Sequence, residues 1–126
     1  MIEHVLYFDV SKRQKTLICA FIIRDKDNQI VEAKTTRIQT DMGTNCGECL
    51  SLIFGLEKAK ELGIKNIKVF GDSLIIINQT NGIFKIKHPK LKELHRQVDL
   101  LKQCFEQIEF NWIPRHQNSD ADRLTK

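Results

Sequence analysis

The stretch TNCGECLSLIFGLEKAKELGIKNIKVF, residues 44–70, joins a long predicted helix to a short predicted strand. The helix runs from about Thr44 to Leu62, and Gly63 can end it because glycine readily adopts the left-handed conformation that often follows a helix. Ile67–Phe70 is a short apolar run, which is typical of a buried strand. A helix that leads into a buried strand is the crossover unit of α/β sheets, so this stretch favours that class of fold.

Three strands are predicted before this helix. They cover Val5–Val10, Thr16–Arg24 and Gln29–Ile38. Asp25–Asn28 is a run of turn-forming residues between the second strand and the third. Short connections of this kind favour an antiparallel meander.

Two helices, one strand and a last short helix are predicted after the stretch. The first helix ends near Thr80, and Pro89 is well placed to open an amphipathic helix whose apolar residues recur at steps of three and four. Ile108–Ile113 is the last strand, with Trp112 expected in the core. The order β-β-β-α-β-α-α-β-α predicts an α/β fold with a five-stranded mixed sheet and helices on its faces.

Length and composition fit a single globular domain, residues 1–126. The chain has 126 residues, of which 41% are hydrophobic and 29% charged, and about 150 residues is typical of one domain. No apolar run approaches the ~20 residues of a membrane span. Met1–His4 lacks the basic start and apolar core of a secretory signal. We therefore expect a cytoplasmic protein with no membrane segment.

The net charge of +4 is concentrated in one segment. Between Gly82 and Gln103 six basic residues face two acidic ones, and the rest of the chain balances to zero. A local basic patch suits a phosphate backbone, although a solvated helix face has the same composition. The six basic residues are Lys85, Lys87, Lys90, Lys92, Arg96 and Lys102.

Cys46 and Cys49 form a C-x-x-C spacing at the start of the long helix. Redox motifs and zinc sites both use this spacing, but a zinc site usually has a second close pair, which this chain lacks. Two cysteines at a helix start can also be small buried apolar residues, and we favour that interpretation.

Four acidic residues occupy positions that could converge. Asp9 interrupts an apolar strand, where a charged carboxylate is costly unless it is paired or bound to a metal. Glu48 shares a helix face with small residues that let the helix approach the sheet. Asp72 follows the carboxyl end of a strand, where α/β sheets place their sites. Asp122 lies in the opening turn of the last helix.

Each of these acids also has a simpler interpretation, as the partner of a lysine, a helix cap or a surface charge. Taken together, they could form a cluster whose mutual repulsion is relieved by divalent cations. Mg²⁺ prefers oxygen ligands of this kind and commonly binds phosphate oxygens as well. Two such ions close together would activate a water molecule and stabilise the leaving oxygen in phosphodiester cleavage.

Five motifs lie in order along nearly the whole chain. They are Thr44-Asn45-Cys46-Gly47-Glu48, Gly55-Leu56-(x2)-Ala59-(x3)-Gly63, Val69-Phe70-Gly71-Asp72-Ser73, Asn81-Gly82-(x2)-Lys85-(x)-Lys87 and Trp112-Ile113-Pro114-Arg115-(x2)-Asn118-(x2)-Ala121-Asp122-(x)-Leu124. In these motifs the chain resembles a type 1 ribonuclease H, closer to the short bacterial and archaeal forms without a basic protrusion. The resemblance implies the ribonuclease H-like fold, which agrees with the order of elements above.

The resemblance also implies a reaction and its metal ligands. The expected activity is endonucleolytic hydrolysis of the RNA strand of RNA–DNA hybrids with two Mg²⁺ ions, or Mn²⁺, leaving 5′-phosphate and 3′-hydroxyl ends. Asp9 would contact both ions, Glu48 and Asp72 would complete one site, and Asp122 would hold the second ion. No organic cofactor is implied, and we expect a monomer.

Further residues follow from the same resemblance. Arg115 takes the position of a loop residue that assists turnover and is counted with the catalytic set, and His116 is the second choice. The hybrid is recognised by its shape and its 2′-hydroxyls rather than by its sequence. The residues implied in nucleic-acid binding are Thr44, Asn45, Asn78, Lys85, Lys87 and Lys90.

Three features depart from the family pattern. Val10 stands where the family has a glycine, and the hairpin Ser11–Lys15 contains no glycine. Thr44 and Gly47 replace an asparagine and an alanine of the family. The last helix is also short. These differences keep two alternatives open: a catalytically weak module that binds nucleic acid or a protein partner, and a nuclease of another kind on the same fold.

Overall fold

A computed structural model describes residues 3–126, and in this range five strands and four α-helices follow one another in the predicted order. The strands are β1 His4–Arg13, β2 Thr16–Asp25, β3 Ile30–Gln39, β4 Asn66–Gly71 and β5 Gln107–Trp112. The helices are α1 Thr44–Glu61, α2 Leu74–Thr80, α3 Pro89–Lys102 and α4 Ser119–Leu124, with a 3₁₀ turn at Arg115–Gln117 before α4. The predicted α/β fold is confirmed.

The five strands form one mixed sheet in the order β3-β2-β1-β4-β5. β1, β2 and β3 are antiparallel, as the predicted meander requires, whereas β4 pairs parallel to β1 and β5 parallel to β4. Tyr7 of β1 faces Phe70 of β4 in this register. Asp9 lies two residues further along β1, and Asp72 directly follows the end of β4, so the two come close together at the centre of the sheet.

The hydrophobic core lies between the sheet and α1 and continues between α1 and α3, which pack against each other. Leu6 and Phe8 from β1 are fully buried there, as are Leu52 and Leu56 from α1. α1 approaches the sheet so closely that a Cβ added at Gly55 would lie 2.6 Å from the side chain of Leu6. The small helix residues expected from the sequence thus bring the face that carries Glu48 against the sheet.

The β1–β2 hairpin is tighter and its strands are longer than the sequence analysis expected. β1 continues to Arg13, and Thr16 pairs with it across a two-residue turn. Gln14 adopts the left-handed conformation with φ +55°. This conformation is less favourable in free energy for a residue with a side chain than for glycine. The hairpin is therefore formed without the glycines that are usual in the family.

The expectation for Trp112 was wrong. Its side chain is 46% exposed because it is the last residue of the edge strand β5. The indole Nε1–H donates a hydrogen bond to the main-chain oxygen of Asp72 at 3.1 Å. Trp112 therefore supports the segment that carries Asp72 and does not fill the core.

The interpretation of Cys46 and Cys49 as buried apolar residues agrees with the structure. Both are free thiols, exposed by 6% and 0%. Burial raises the pKa of both thiols, to about 12 for Cys49, which disfavours the reactive thiolate that redox chemistry needs. No helix in residues 3–126 has the length and apolar character to cross a bilayer.

Candidate active site

Three carboxylates from distant parts of the chain meet at the centre of the sheet. Asp9 comes from the middle of β1, Glu48 from the second turn of α1 and Asp72 from the segment that follows β4. Each offers one oxygen, and these oxygens all lie within 4.8 Å of one another. We call these three residues the carboxylate cluster.

Burial and mutual repulsion disfavour the charged forms of the carboxylate cluster. Asp9 is only 4% exposed and Glu48 only 6%. Burial, followed by the charge of Asp72, raises the pKa of Asp9 from 3.8 to about 6. Burial and the charges of Asp9 and Asp72 raise the pKa of Glu48 well above its usual value. Proximity and burial therefore make full ionisation of the cluster costly.

The donor set of the cluster fits a hard divalent cation. Glu48 Oε2 is buried and has no hydrogen-bond partner in residues 3–126. An unpaired buried carboxylate oxygen is expensive unless a cation binds it. All the candidate ligand atoms are oxygens, which suits Mg²⁺ or Mn²⁺ better than a metal that prefers sulfur or imidazole. The cluster can therefore bind a divalent metal.

Asn118, which was not among the predicted site residues, holds the cluster together. Its side chain is 1% exposed, and its Nδ2 donates to Asp72 Oδ2 and to the main-chain oxygen of Phe8, both at 2.9 Å. It makes no side-chain cap for α4. Because Phe8 precedes Asp9, this one amide links β1, Asp72 and the start of α4. The sequence contained one signal of this role, which is the position of Asn118 in the last family motif.

Ser51 is a second residue whose role sequence reasoning missed. It is fully buried in α1, and its hydroxyl oxygen lies 2.8 Å from the main-chain oxygen of Asp9 and 2.9 Å from that of Gly47. The hydroxyl therefore joins α1 to β1 next to the cluster. A serine inside a helix gives no sign of such a contact in the sequence.

Asp122, the fourth predicted ligand, lies outside the carboxylate cluster. Its Oδ1 is 3.7 Å from Arg115 Nη2, and its Oδ2 is 3.6 Å from Lys126 Nζ. Its charge is still close enough to contribute to the raised pKa of Asp9. The structure thus brings together three of the four predicted acids and places the fourth beside them, between two cations.

The cluster opens into a cleft that contains several of the other predicted residues. Thr44 and Asn45, which are exposed at the start of α1, line the cleft together with Arg115. Lys12, which was not predicted, also lines the cleft, and its Nζ donates to the main-chain oxygen of Met42 at 2.8 Å. The full lining is Asp9, Val10, Ser11, Lys12, Thr44, Asn45, Glu48, Asp72, Ser73 and Arg115.

The predicted lysines are outside the lining of the cleft, in and just after a segment that reaches the start of α1 through His88. Lys85 and Lys87 are exposed in the segment between α2 and α3, and Lys90 is exposed in the first turn of α3. His88 of the same segment lines a second hollow, which it shares with Thr44 and Asn45. The main-chain oxygen of Asn78 accepts hydrogen bonds from the amides of residues 83 and 84, so Asn78 holds this segment.

The chain matches one family model and several curated proteins. The family model described as reverse transcriptase-like matches residues 7–126. The bifunctional protein Rv2228c of Mycobacterium tuberculosis is 34% identical over 103 residues, which are 82% of this chain and 28% of that protein. The uncharacterized protein Mb2253c of Mycobacterium bovis matches with the same identity and coverage. The chain therefore spans less than a third of the length of these curated relatives.

Solved structures agree over almost the whole chain. The N-terminal ribonuclease H domain of Rv2228c has a TM-score of 0.91 at 29% identity and covers 98% of this chain and 91% of that one. Ribonuclease H1 of the halophilic archaeon Halobacterium salinarum also has a TM-score of 0.91, at 26% identity, with 96% and 92% covered. LC11-RNase H1 in complex with an RNA/DNA hybrid has a TM-score of 0.88 at 25% identity, with 97% and 93% covered. The chain belongs to the reverse transcriptase-like family and, within it, to the ribonuclease H proteins.

Proposed function

We propose that this chain is a ribonuclease H that hydrolyses the RNA strand of RNA–DNA hybrids with two divalent cations, Mg²⁺ or Mn²⁺. The products would carry 5′-phosphate and 3′-hydroxyl ends. The single observation that carries the proposal is the carboxylate cluster, with its unpaired buried Glu48 oxygen, at the centre of a ribonuclease H fold. The similarity to LC11-RNase H1, a structure that contains an RNA/DNA hybrid, supports this class of substrate.

The four acids would hold the ions. Asp9, Glu48 and Asp72 would form one site, and Asp9 and Asp122 would form the second. When bound, the two ions would activate a water molecule for attack on the scissile phosphate and stabilise the leaving oxygen. Asn118 would keep the carboxylate of Asp72 oriented toward the cleft, since its side-chain amide donates a hydrogen bond to Asp72 Oδ2.

Arg115 would assist turnover from the edge of the cleft. Its side chain is 79% exposed and loosely paired with Asp122, so it is free to contact a phosphate or a leaving product. His116 follows it in the same turn and remains the second choice for this role.

Nucleic-acid binding would use both sides of the cleft. Thr44 and Asn45 stand at the amino terminus of α1, where main-chain amides and the helix dipole favour phosphate. Lys85, Lys87 and Lys90 would contact phosphates of the DNA strand, and Asn78 would contact the hybrid from α2. Contacts of this kind supply affinity without reading the base sequence.

The proposal is tested by a cleavage assay on an RNA–DNA hybrid with Mg²⁺ or Mn²⁺. We expect wild type to cut the RNA strand, and Asp9→Asn to reduce the rate by more than about 10²-fold, because the variant loses the ligand that both sites share. Asp27→Asn is the matched control, since Asp27 is exposed in the β2–β3 turn.

Other substrates and outcomes identify the alternatives. Single-stranded RNA and branched DNA junctions should remain uncut, and cutting of either would indicate a different nuclease on this fold. Tight hybrid binding without cleavage in either metal would instead indicate a binding module.

A further inference from the structure

Asp122 differs electrostatically from the other three acids. None of the ion pairs within residues 3–126 involves Asp9, Glu48 or Asp72. Asp122, in contrast, has one cation at each oxygen, Arg115 at 3.7 Å and Lys126 at 3.6 Å. The two proposed ion sites therefore differ in the competition that an incoming cation meets.

We propose that Lys126 is a positioning residue that competes with a divalent cation for Asp122, and thereby sets the cation concentration at which Asp122 becomes a ligand. This inference rests on the proposed function, because it takes Asp122 to be part of the second ion site. Lys126 Nζ and a cation at Asp122 would draw on the same carboxylate, so binding of the second ion requires the ammonium group to move away or to share it.

The contact is weak enough for a bound divalent cation to displace it. The side chain of Lys126 is 59% exposed, and its distance from Asp122 Oδ2 is longer than a direct hydrogen bond. An exposed ion pair of this type changes an equilibrium constant by no more than about fivefold. The flexible four-carbon stem of lysine also lets the ammonium return to water. Lys126 would therefore tune the second site without blocking it.

The simpler role for Lys126 is to stabilise the end of α4, since it stands four residues after Asp122. Arg123 provides the matched comparison. It lies in the last turn of α4, three residues before Lys126, and carries the same charge, but its partner is Asp120 at 2.9 Å. Loss of either charge changes the electrostatics of α4 similarly, whereas only the loss of Lys126 removes a cation from Asp122 Oδ2, with Arg115 still at Oδ1.

The test is a Mg²⁺ titration of the ¹⁵N-labelled protein at constant ionic strength, followed by NMR. The backbone amides around Glu48 report on the carboxylate cluster, and those of Asp122 and its neighbours report on the second site. Wild type, Lys126→Met, Lys126→Arg and Arg123→Met are compared. Thermal unfolding without metal measures any purely structural contribution of each side chain.

We expect Lys126→Met to lower the apparent dissociation constant at the second site by about three- to fivefold and to leave that of the cluster unchanged. Lys126→Arg and Arg123→Met should stay within about twofold of wild type, because the first keeps the competing charge and the second never contacts Asp122. Equal shifts in Lys126→Met and Arg123→Met, or no shift in Lys126→Met, would overturn the inference. If the amides around Glu48 do not respond to Mg²⁺ in any variant, the proposed function itself fails.

Discussion

The side chain of Val10 occupies the space that a side chain at position 47 would need, beside the carboxylate cluster. A Cβ built on Gly47 would lie 2.7 Å from Val10 Cγ2 and 3.1 Å from a methyl group of Leu17. The family has a glycine where this chain has Val10 and an alanine where it has Gly47. The added side chain on β1 is therefore compensated by the loss of one on α1. The two departures form one packing change, which keeps α1 close to the sheet and Glu48 in place.

Restoring alanine at position 47 alone should destabilise the protein. Overpacking against the stiff Val10 costs about 1–3 kcal/mol, whereas alanine gains up to about 1 kcal/mol of helix propensity. We expect Gly47→Ala to lower the free energy of unfolding by about 1–2 kcal/mol, measured by urea denaturation. Val10→Ala should be much less harmful in the Gly47→Ala background than in wild type.

Gly43→Ala is the control for this prediction, because a Cβ at Gly43 would meet no atom within 4 Å. Gly43 is the N-cap of α1, where alanine is less favourable than glycine, so we expect a loss of less than about 1 kcal/mol that does not depend on Val10. Unchanged stability in Gly47→Ala, or additive effects of Val10→Ala and Gly47→Ala in the double variant, would contradict the claim that side chains at these two positions compete for the same space.

The ionised carboxylate of Asp9 destabilises the folded protein when no metal is bound. The pKa of its carboxyl is raised to about 6 in the folded protein from the usual 3.8. The ionised form is therefore penalised in the folded state. The penalty is complete above about pH 6, falls as the pH is lowered, and is absent below about pH 3.8. Without metal, this carboxylate should make the protein less stable at neutral pH than under mildly acidic conditions.

Asp9→Asn should remove that penalty. In the absence of metal we expect the variant to exceed wild type by about 1–3 kcal/mol in unfolding free energy near pH 7.5, and the difference to shrink toward pH 4. Urea denaturation in EDTA at several pH values measures it. Asp27→Asn, which lies in the exposed turn, should show no such difference. A variant less stable than wild type at neutral pH would show that Asp9 is compensated by another group.

At the scale of elements, the short helix α4 depends on contacts with the sheet. It has six residues, too few to be stable alone. Ser11 Oγ donates to the main-chain oxygen of Thr125 at 2.7 Å, and Arg24 Nη2 donates to Asp120 Oδ2 at 2.9 Å. These contacts hold the helix that carries Asp122 beside β1.

Loss of the arginine contact should loosen α4 without unfolding the sheet. The side chain of Arg24 is only 18% exposed, so its pair with Asp120 is better protected than a surface pair. We expect Arg24→Met to increase amide hydrogen exchange in α4 by about three- to tenfold, with little change in α1 or β1. Arg37→Met is the matched control, since Arg37 is exposed on β3. Equal protection of α4 in both variants would show that its other contacts suffice.

Elements with strong local patterns were predictable from the sequence. α1, α3 and the strands follow from apolar runs, the proline at the start of α3 and the glycine after α1, because these signals act over a few residues. Strand ends were less predictable, since the length of β1 depends on a hairpin turn that uses Gln14 in an uncommon conformation. The antiparallel meander and the crossover helices then leave few possible sheet arrangements.

Contacts between elements were not predictable in the same way. Trp112 has an apolar side chain, but its exposure follows from the edge position of β5 and from a hydrogen bond to the segment after β4. Asn118 has the sequence of a helix cap, but its amide joins three elements that are far apart in the chain. The sequence places Asp122 near the other acids, whereas its two cationic partners decide its actual surroundings.

At the scale of the whole molecule, positive and negative charge are separated around the cleft. The carboxylate cluster lines the cleft, and the exposed lysines lie in and just after the α2–α3 segment, whose His88 shares a hollow with Thr44 and Asn45. A polyanion would be attracted by the lysines and repelled by the cluster until cations bind there. Substrate affinity and metal occupancy should therefore rest on different residues and be separable by mutation.

The lysines at positions 85, 87 and 90 should control affinity and its salt dependence. We expect their combined replacement by glutamine to raise KM for an RNA–DNA hybrid by about tenfold or more, because three phosphate contacts are lost. The value of kcat should change by less than about twofold, because none of the three lysines belongs to the carboxylate cluster or lines the cleft. Each lost phosphate contact should also reduce the slope of log K against log salt concentration by slightly less than 1. Fluorescence anisotropy with uncleaved hybrid in the Asp9→Asn background measures that slope at increasing KCl.

The matched control replaces Lys26, Lys60 and Lys65, which are exposed away from the cleft and make the same change in net charge. A control that weakens binding as much as the test variant would assign the effect to net charge, and a fall in kcat with unchanged KM would place these lysines in catalysis instead of binding.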